Sequence, residues 1–267
     1  MKYKKRAVVL IFGLVVLSFH ANGQTEVDSS RVIRVLTFNI LHGATVNNDF
    51  DLDRIARVIN STNPDIVALQ EVDFYTNRAR KMDLVTELAM RTKLAPLFGR
   101  AMPYDGGEYG EGILSRYSFL STKTHALRYR EGHEPRAALE ANIILQSGDT
   151  IQFIGTHLDH TKDETNRMMQ VEDINTIFNE KAKLSILAGD LNATPNSKPM
   201  KELFKIWTKS DEADEPTIPS NNPKKKIDYI LYKPVHRWRV LKTKVIDEKI
   251  ASDHLAMLSI LEVLPKK

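Results

Sequence analysis

Along this chain the apolar residues gather into short runs, and most of those runs stop on a polar residue. Residues 184–188 are the sharpest case, closing on Gly189, Asp190, Leu191 and Asn192 with Pro195 as a stop. A run that short reads as a buried strand rather than a helix. Side chains at i and i+2 of an extended segment share a face, so Asp190 and Asn192 are expected to point the same way. An Asp-Asn turn closing a strand would leave the same signature. A buried carboxylate, however, needs a partner or a metal.

The same reading gives strands at 31–40, apolar on both faces and ending near Asn39, and at 65–71, ending on Glu71. A short strand at 112–116 is entered through Tyr109, Gly110 and Glu111, after a loop opened by Gly106 and Gly107. Strands at 136–145 and 150–156 are joined by the turn Ser147-Gly148-Asp149, and the second ends at His157. Further strands fall at 227–232, which contains Asp228, at 236–246, and at 255–263, preceded by Ser252-Asp253-His254. Helical periodicity marks 51–62, 81–93 and 163–179. Residues 209–226 are polar and proline-bearing and read as a surface loop, with Lys224, Lys225 and Lys226 a solvated charge run.

Helices alternate with strands, yet several strands follow one another directly. That pattern predicts an α/β (α+β) fold in which two mixed sheets pack face to face with helices outside. No linker, repeat or low-complexity tract divides the chain, so one domain over 24–267 is expected.

The beginning of the chain modifies the charge picture. Lys2, Lys4, Lys5 and Arg6 precede an apolar stretch over 7–19, and Ala21-Asn22-Gly23 supplies small residues before Gln24. This is the layout of a secretory signal peptide over 1–23. The whole chain has 38 Lys and Arg against 34 Asp and Glu; without the four leader cations the body is formally neutral. A neutral body lacks the broad basic footprint of a nucleic-acid binder. There is no cysteine, which excludes disulfides and a lipoprotein attachment point even though export would permit both.

The polar residues at the run ends are Asn39, Glu71, His157, Asp190, Asn192, Asp228, Asp253 and His254. Any one of them could be a turn residue. Together they are hard oxygen donors plus two imidazoles, a set that selects magnesium, manganese or calcium. The clustered His or Cys typical of zinc is missing.

The ordered series Thr37-Phe38-Asn39, Leu69-Gln70-Glu71-Val72, Thr156-His157-Leu158-Asp159, Gly189-Asp190-Leu191-Asn192, Ile227-Asp228-Tyr229 and Ser252-Asp253-His254 resembles the endonuclease/exonuclease/phosphatase superfamily. That superfamily includes deoxyribonuclease-like, inositol-phosphatase and sphingomyelinase members. The resemblance covers nearly all of the body and suggests a secreted bacterial-type member. It implies a four-layer α/β/β/α sandwich and a metal-dependent phosphoesterase using Mg2+ or Mn2+. Glu71 would be the chief metal carboxylate, with Asn39 and Asp253 completing or supporting its shell. His254 would pair with Asp228, while Asp190 and Asn192 position water and phosphoryl oxygens. His157 would stabilise the phosphorane or protonate the leaving oxygen. Deoxyribonuclease-like members carry a Glu at the position of Glu111, implying a pair between Glu111 and His157. Arg136 fits a recurrent position near the phosphate, and Arg78 and Arg80 could form a rim for a second anionic group.

Three function classes follow. The first is an exported phosphodiesterase or phosphomonoesterase acting on a lipid head group, sugar phosphate or similar substrate. The second is a secreted nuclease acting on nucleic acid. The third is a binding protein that keeps the fold without turnover. No obligate protein partner is evident and a monomer is expected. The leader has its own test: intact-mass analysis of the exported protein should give Gln24 as the first residue, and retention of Met1 would refute the cleavage.

Overall fold

The computed structural model describes residues 27–266, so the expected leader lies outside the described residues. Two six-stranded mixed sheets form the body. The first has the order β11-β12-β1-β2-β4-β3, built from β1 (Val32–Asn39), β2 (Ile66–Phe74), β3 (Ala95–Tyr104), β4 (Gly107–Ser115), β11 (Trp238–Val245) and β12 (Met257–Val263). The second has the order β5-β6-β7-β8-β10-β9, from β5 (Phe119–Leu127), β6 (Arg136–Ile144), β7 (Thr150–His157), β8 (Ser185–Asp190), β9 (Thr208–Lys209) and β10 (Asp228–Lys233). The helices are α1 (Leu52–Thr62), α2 (Leu84–Thr92), α3 (Thr165–Ile177) and α4 (Lys198–Leu203).

The apolar residues sort into three layers of core, as the four-layer expectation requires. Leu36 and Phe38 of β1 pack with Ile55 and Ile59 of α1 and Leu84 and Leu88 of α2. Ile33 and Val35, on the other face of β1, pack with Ile151 and Phe153 of β7 and Ile186 and Ala188 of β8, between the sheets. Ile154, Leu187 and Leu231 face outward to Val171 and Ile174 of α3 and Met200 of α4. A strand covered on both faces must be apolar at successive positions, which is why 32–38 and 185–189 read as continuous runs. Asp51 caps α1 by accepting from the Arg54 N–H, and Asp83 does the same for α2 from the Thr86 N–H.

The sequence pattern passed over β3, β5 and β9, and each lies at the end of a sheet. β5 is largely exposed, so hydrogen bonding to β6 rather than burial makes it a strand. The six-residue α4, which Ser197 caps, was also too short for periodicity to register. β4 begins at Gly107, five residues before its expected start. Lys226 corrects the reading of a solvated charge run: it is 3% exposed, and its ammonium lies 2.9 Å from the buried carboxylate of Asp211.

β7 and β8 run parallel, placing His157 opposite Asp190. Their approach depends on Gly189, where an added Cβ would stand 1.9 Å from the Thr156 carbonyl oxygen. Gly189→Ala is therefore expected to destabilise the fold by about 1–3 kcal/mol, the usual cost of overpacking a tight site. A thermal melt checks this, and an unchanged melting temperature would contradict the close approach.

Candidate active site

Period-two alternation carries the polar residues to one edge of the space between the sheets. Ile33 and Val35 point into that space, so Thr37 and Asn39 follow them on the same face of β1. Ile186 and Ala188 lead in the same way to Asp190, and Ile230 and Tyr232 lead back to Asp228 at the start of β10. Ile151 and Phe153 lead to His157, and Ile113 leads back to Glu111 and Tyr109. Glu71 breaks this rule. Simple alternation would group it with Val67 and Leu69 on the helix side. A bulge between Leu69 and Val72, with Glu71 at φ 57°, re-aims it toward the site. Its Oε1 lies 3.2 Å from Nδ2 of Asn39.

Asp190 is the centre of the group. Its Oδ2 accepts from Nδ2 of Asn39 at 3.2 Å and lies 3.5 Å from Nε2 of His157 and 3.6 Å from Nε2 of His254. Its Oδ1 accepts from the backbone N–H of Asn192 at 2.9 Å. Asn192 is not the next same-face residue of an extended strand, as the spacing predicted. β8 has ended, and a left-handed backbone with φ 48° turns the amide to within 3.0 Å of Nε2 of His157. His254 Nδ1 lies 3.0 and 3.2 Å from the two oxygens of Asp228, forming the expected pair.

Charge follows from this packing. Burial pushes the Asp190 carboxyl up to about 7, against the pull of the His254 cation. Burial works against the charge on His254, but Asp228 and Asp190 outweigh it and hold the ring up at about 10. Burial also raises the Glu71 carboxyl, yet the His42 and Asn39 hydrogen bonds help bring it down to about 2. His157 is pushed well below the usual range, first by burial and then by the charge of Arg136. Nη1 of Arg136 stands 3.1 Å from Nδ1 of His157. A guanidinium can only donate, so Nδ1 is the accepting side toward Arg136, while Nε2 faces the Asn192 amide nitrogen at 3.0 Å and Asp190 at 3.5 Å.

The pair expected between Glu111 and His157 is not formed. The Tyr109 hydroxyl, at 3.4 Å, and Arg136 occupy the neighbourhood of Nδ1 instead. Glu111 is fully buried with neither carboxylate oxygen hydrogen-bonded. Burial raises it well above the ordinary carboxyl range, despite the charge of Arg136. No hydrogen bond joins Asp253 to Asn39 or Glu71 among the described residues. The Asp253 carboxylate accepts from the Ser252 hydroxyl at 3.4 Å and its carbonyl from the Ser220 N–H, so its charge acts on the adjoining His254 ring. Arg78 does reach the cavity wall, held by two hydrogen bonds of 2.6 and 2.8 Å to the buried Asp73 and lying over the Tyr104 ring.

The residues surround a cavity of about 310 Å³. Several lining or supporting residues escaped the sequence reading: Tyr104, Tyr109, Glu134 and His160 line it, and His42 reaches Glu71 Oε2 at 3.4 Å. Tyr109 and His42 stand close in sequence to residues that were singled out, which was the available signal. Among the described residues one acidic and imidazole cluster has donor atoms within 4.8 Å of one another: Asp190, Asp228 and His254. A protonated ring offers no lone pair, so this trio reads as a hydrogen-bonded charge chain. The ionised Glu71 supplies hard carboxylate oxygens of the kind that take a divalent metal, and the Asn39 amide nitrogen donates to it while the Asn39 oxygen accepts from the Leu41 N–H.

Two mixed sheets carrying this polar edge define a phosphoester-hydrolase type of sandwich. The chain belongs to the Endonuclease/Exonuclease/phosphatase family, whose sequence profile matches residues 36–254. Members of that family are metal-dependent phosphoester hydrolases. An uncharacterized Caenorhabditis elegans protein is 31% identical over 158 residues; the match spans 58% of this chain and 43% of that protein's length. Among solved structures, an endonuclease/exonuclease/phosphatase from Beutenbergia cavernae superposes with a TM-score of 0.76 at 22% identity, over 88% of this chain and 72% of that one. A mannosyl-6-phosphatase from Bacteroides thetaiotaomicron superposes with a TM-score of 0.71 at 17% identity, over 86% and 99%.

The geometry makes the two histidines a single unit joined through Asp190. His157→Ala and His254→Ala should each lower kcat by about 10²–10⁴-fold, the usual loss for a positioned proton-transfer group. The double variant should lose less than the product, and Asp228→Asn should reproduce part of the His254 loss. Measuring kcat and melting temperature on the same variants decides this: lost stability with unchanged kcat would mean that the rings only close strands.

Proposed function

We propose that the protein is an exported, metal-dependent hydrolase of a small phosphoester, a lipid head group or sugar phosphate among them, acting by in-line water attack. The observation that carries this reading is the buried Asp190 carboxylate, set between Asn39, His157 and His254 and shifted by burial to about 7. A base works best when its pKa lies near the working pH. Asp190 takes the proton of the attacking water. Asn192, held to the Asp190 carboxylate through its own N–H, orients that water and a phosphoryl oxygen. His254, kept cationic by Asp228, faces the charge that develops on the phosphoryl group. His157 presents Nε2 from the opposite side, with the Asn192 amide beside it, and Arg136 stands behind the ring as a fixed positive charge.

Glu71 would hold the metal, and Asn39 would support its carboxylate through the amide nitrogen. When bound, the ion neutralises the phosphoryl oxygens and steadies the leaving group. The cavity volume of about 310 Å³ suits a small substrate. The nuclease alternative drew on Glu111 pairing with His157, and that pair is not formed. The formally neutral body favours the small substrate as well.

Chelation is expected to abolish turnover of bis-p-nitrophenyl phosphate, and magnesium or manganese to restore it. Glu71→Gln should raise the metal concentration needed or eliminate turnover without lowering the melting temperature. Full activity after exhaustive chelation would refute the metal requirement. Sphingomyelin, inositol phosphates, sugar phosphates and plasmid DNA, assayed side by side, rank the substrate classes; preference for DNA with a steep salt dependence would favour the nuclease.

A further inference from the structure

A second cavity, of about 430 Å³, lies beside the catalytic one and is lined by His42, Ala44, Asn48, Asp49, Phe50, Arg78 and Arg80. Arg78 lines both cavities. His42 belongs to the second, while its Nδ1 lies 3.4 Å from Glu71, which lines the first. The two spaces therefore adjoin along Arg78 and the contact between His42 and Glu71.

The two arginines differ in what they have left to offer. Arg78 is neutralised by two hydrogen bonds to the buried Asp73. Arg80 is exposed and has no carboxylate partner among the described residues. Its guanidinium lies 4.7 Å from the centre of the Phe50 ring. Stacking on a ring holds a guanidinium while leaving its N–H fork free to bind an anion in two places. The platform under it is built rather than incidental. Phe50 packs against Gly43, which has φ +88°, and a Cβ there would stand 2.6 Å from the ring. The turn that carries Arg80 is closed by its backbone N–H to the Asn77 carbonyl at 3.0 Å. Asp49, the acidic residue on this wall, already accepts from the Thr45 hydroxyl.

We propose that this second cavity is a subsite for a distal phosphate of the substrate, bound by the free fork of Arg80 on its Phe50 platform. The natural substrate is then a phosphoester bearing a second phosphate group, rather than one with a neutral or cationic remainder. The proposal rests on the phosphoesterase reading of the adjoining cavity, since it makes the two anions parts of one molecule. A ligand that fills both places gains from the effective concentration of its second group.

Calorimetric binding to the full body of the protein, with magnesium present, tests this without turnover. The probes are methylphosphonate and a series of alkylene bisphosphonates of increasing chain length, whose carbon–phosphorus bonds resist hydrolysis. One chain length is expected to bind about tenfold or more tightly than methylphosphonate, the advantage of a tethered second site. Arg80→Ala should erase that advantage, and Arg80→Lys should recover part of it as a point charge without the fork. The quantity read is the ratio of bisphosphonate to methylphosphonate affinity within each variant. A ratio near one at every chain length in the unaltered protein would overturn the proposal. So would an advantage that survives in Arg80→Ala, or two independent methylphosphonate sites with no gain from linking. Turnover of bis-p-nitrophenyl phosphate, measured in parallel, reports on the catalytic reading separately, so either can fail while the other stands.

Discussion

The site depends on the packing of one sheet against the other. Asn39 and Glu71 belong to the first sheet and Asp190, His157 and Asp228 to the second. The Asn39 amide nitrogen stands 3.2 Å from both Glu71 and Asp190, so it is one link across the boundary, and the Tyr109 hydroxyl beside His157 is another. The apolar layer of Val35, Phe153, Ile186 and their neighbours holds the sheets together. At its edge the same inward-facing rows turn polar. The most favourable part of the fold thus places its least favourable groups, since isolated buried charges are costly. Each cost is offset locally: Asp228 by His254, Asp190 by Asn39 and the Asn192 N–H, and Glu71 by His42 and Asn39.

Backbone conformation adds to this arrangement. Leu41, His42, Glu71 and Asn192 all have positive φ, and all border the catalytic group. Left-handed backbone is unfavourable for residues with a Cβ and persists where surrounding structure overrides it. Here it re-aims Glu71 through the bulge and folds Asn192 back over His157. Groups fixed in this way need not reorganise when charge develops on a bound phosphoryl group, which is the source of electrostatic catalysis.

Glu111 stands apart, because it has neither a hydrogen bond nor exposure to water. Its environment favours the neutral acid, and a neutral acid is a donor rather than an ionic partner for His157. His157 is instead set by Arg136, whose guanidinium also donates to Glu134 and toward His160 at the cavity mouth. The orientation of the imidazole is therefore tied to the wall that receives the substrate, not to a carboxylate behind it.

Much of this architecture was legible from periodicity. Two-sided apolar runs announced the covered strands, and helical spacing announced α1, α2 and α3, because burial leaves its period directly in the residue order. The edge strands β3 and β5 were not legible, since partner hydrogen bonds rather than burial define them. The ordered strand-end residues carried the resemblance to the superfamily, and that resemblance implied the pair of Asp228 with His254, which the structure forms. Sequence order carries no distances, however. Only the packed sheets decided that Asp190 is the hub and that Arg136 rather than Glu111 holds His157. Lys226 shows the same limit: a run of three lysines looks solvated until the 209–226 segment folds over and buries its last member against Asp211. These outcomes depend on which side chain reaches a shared buried space first, and that competition exists only in three dimensions.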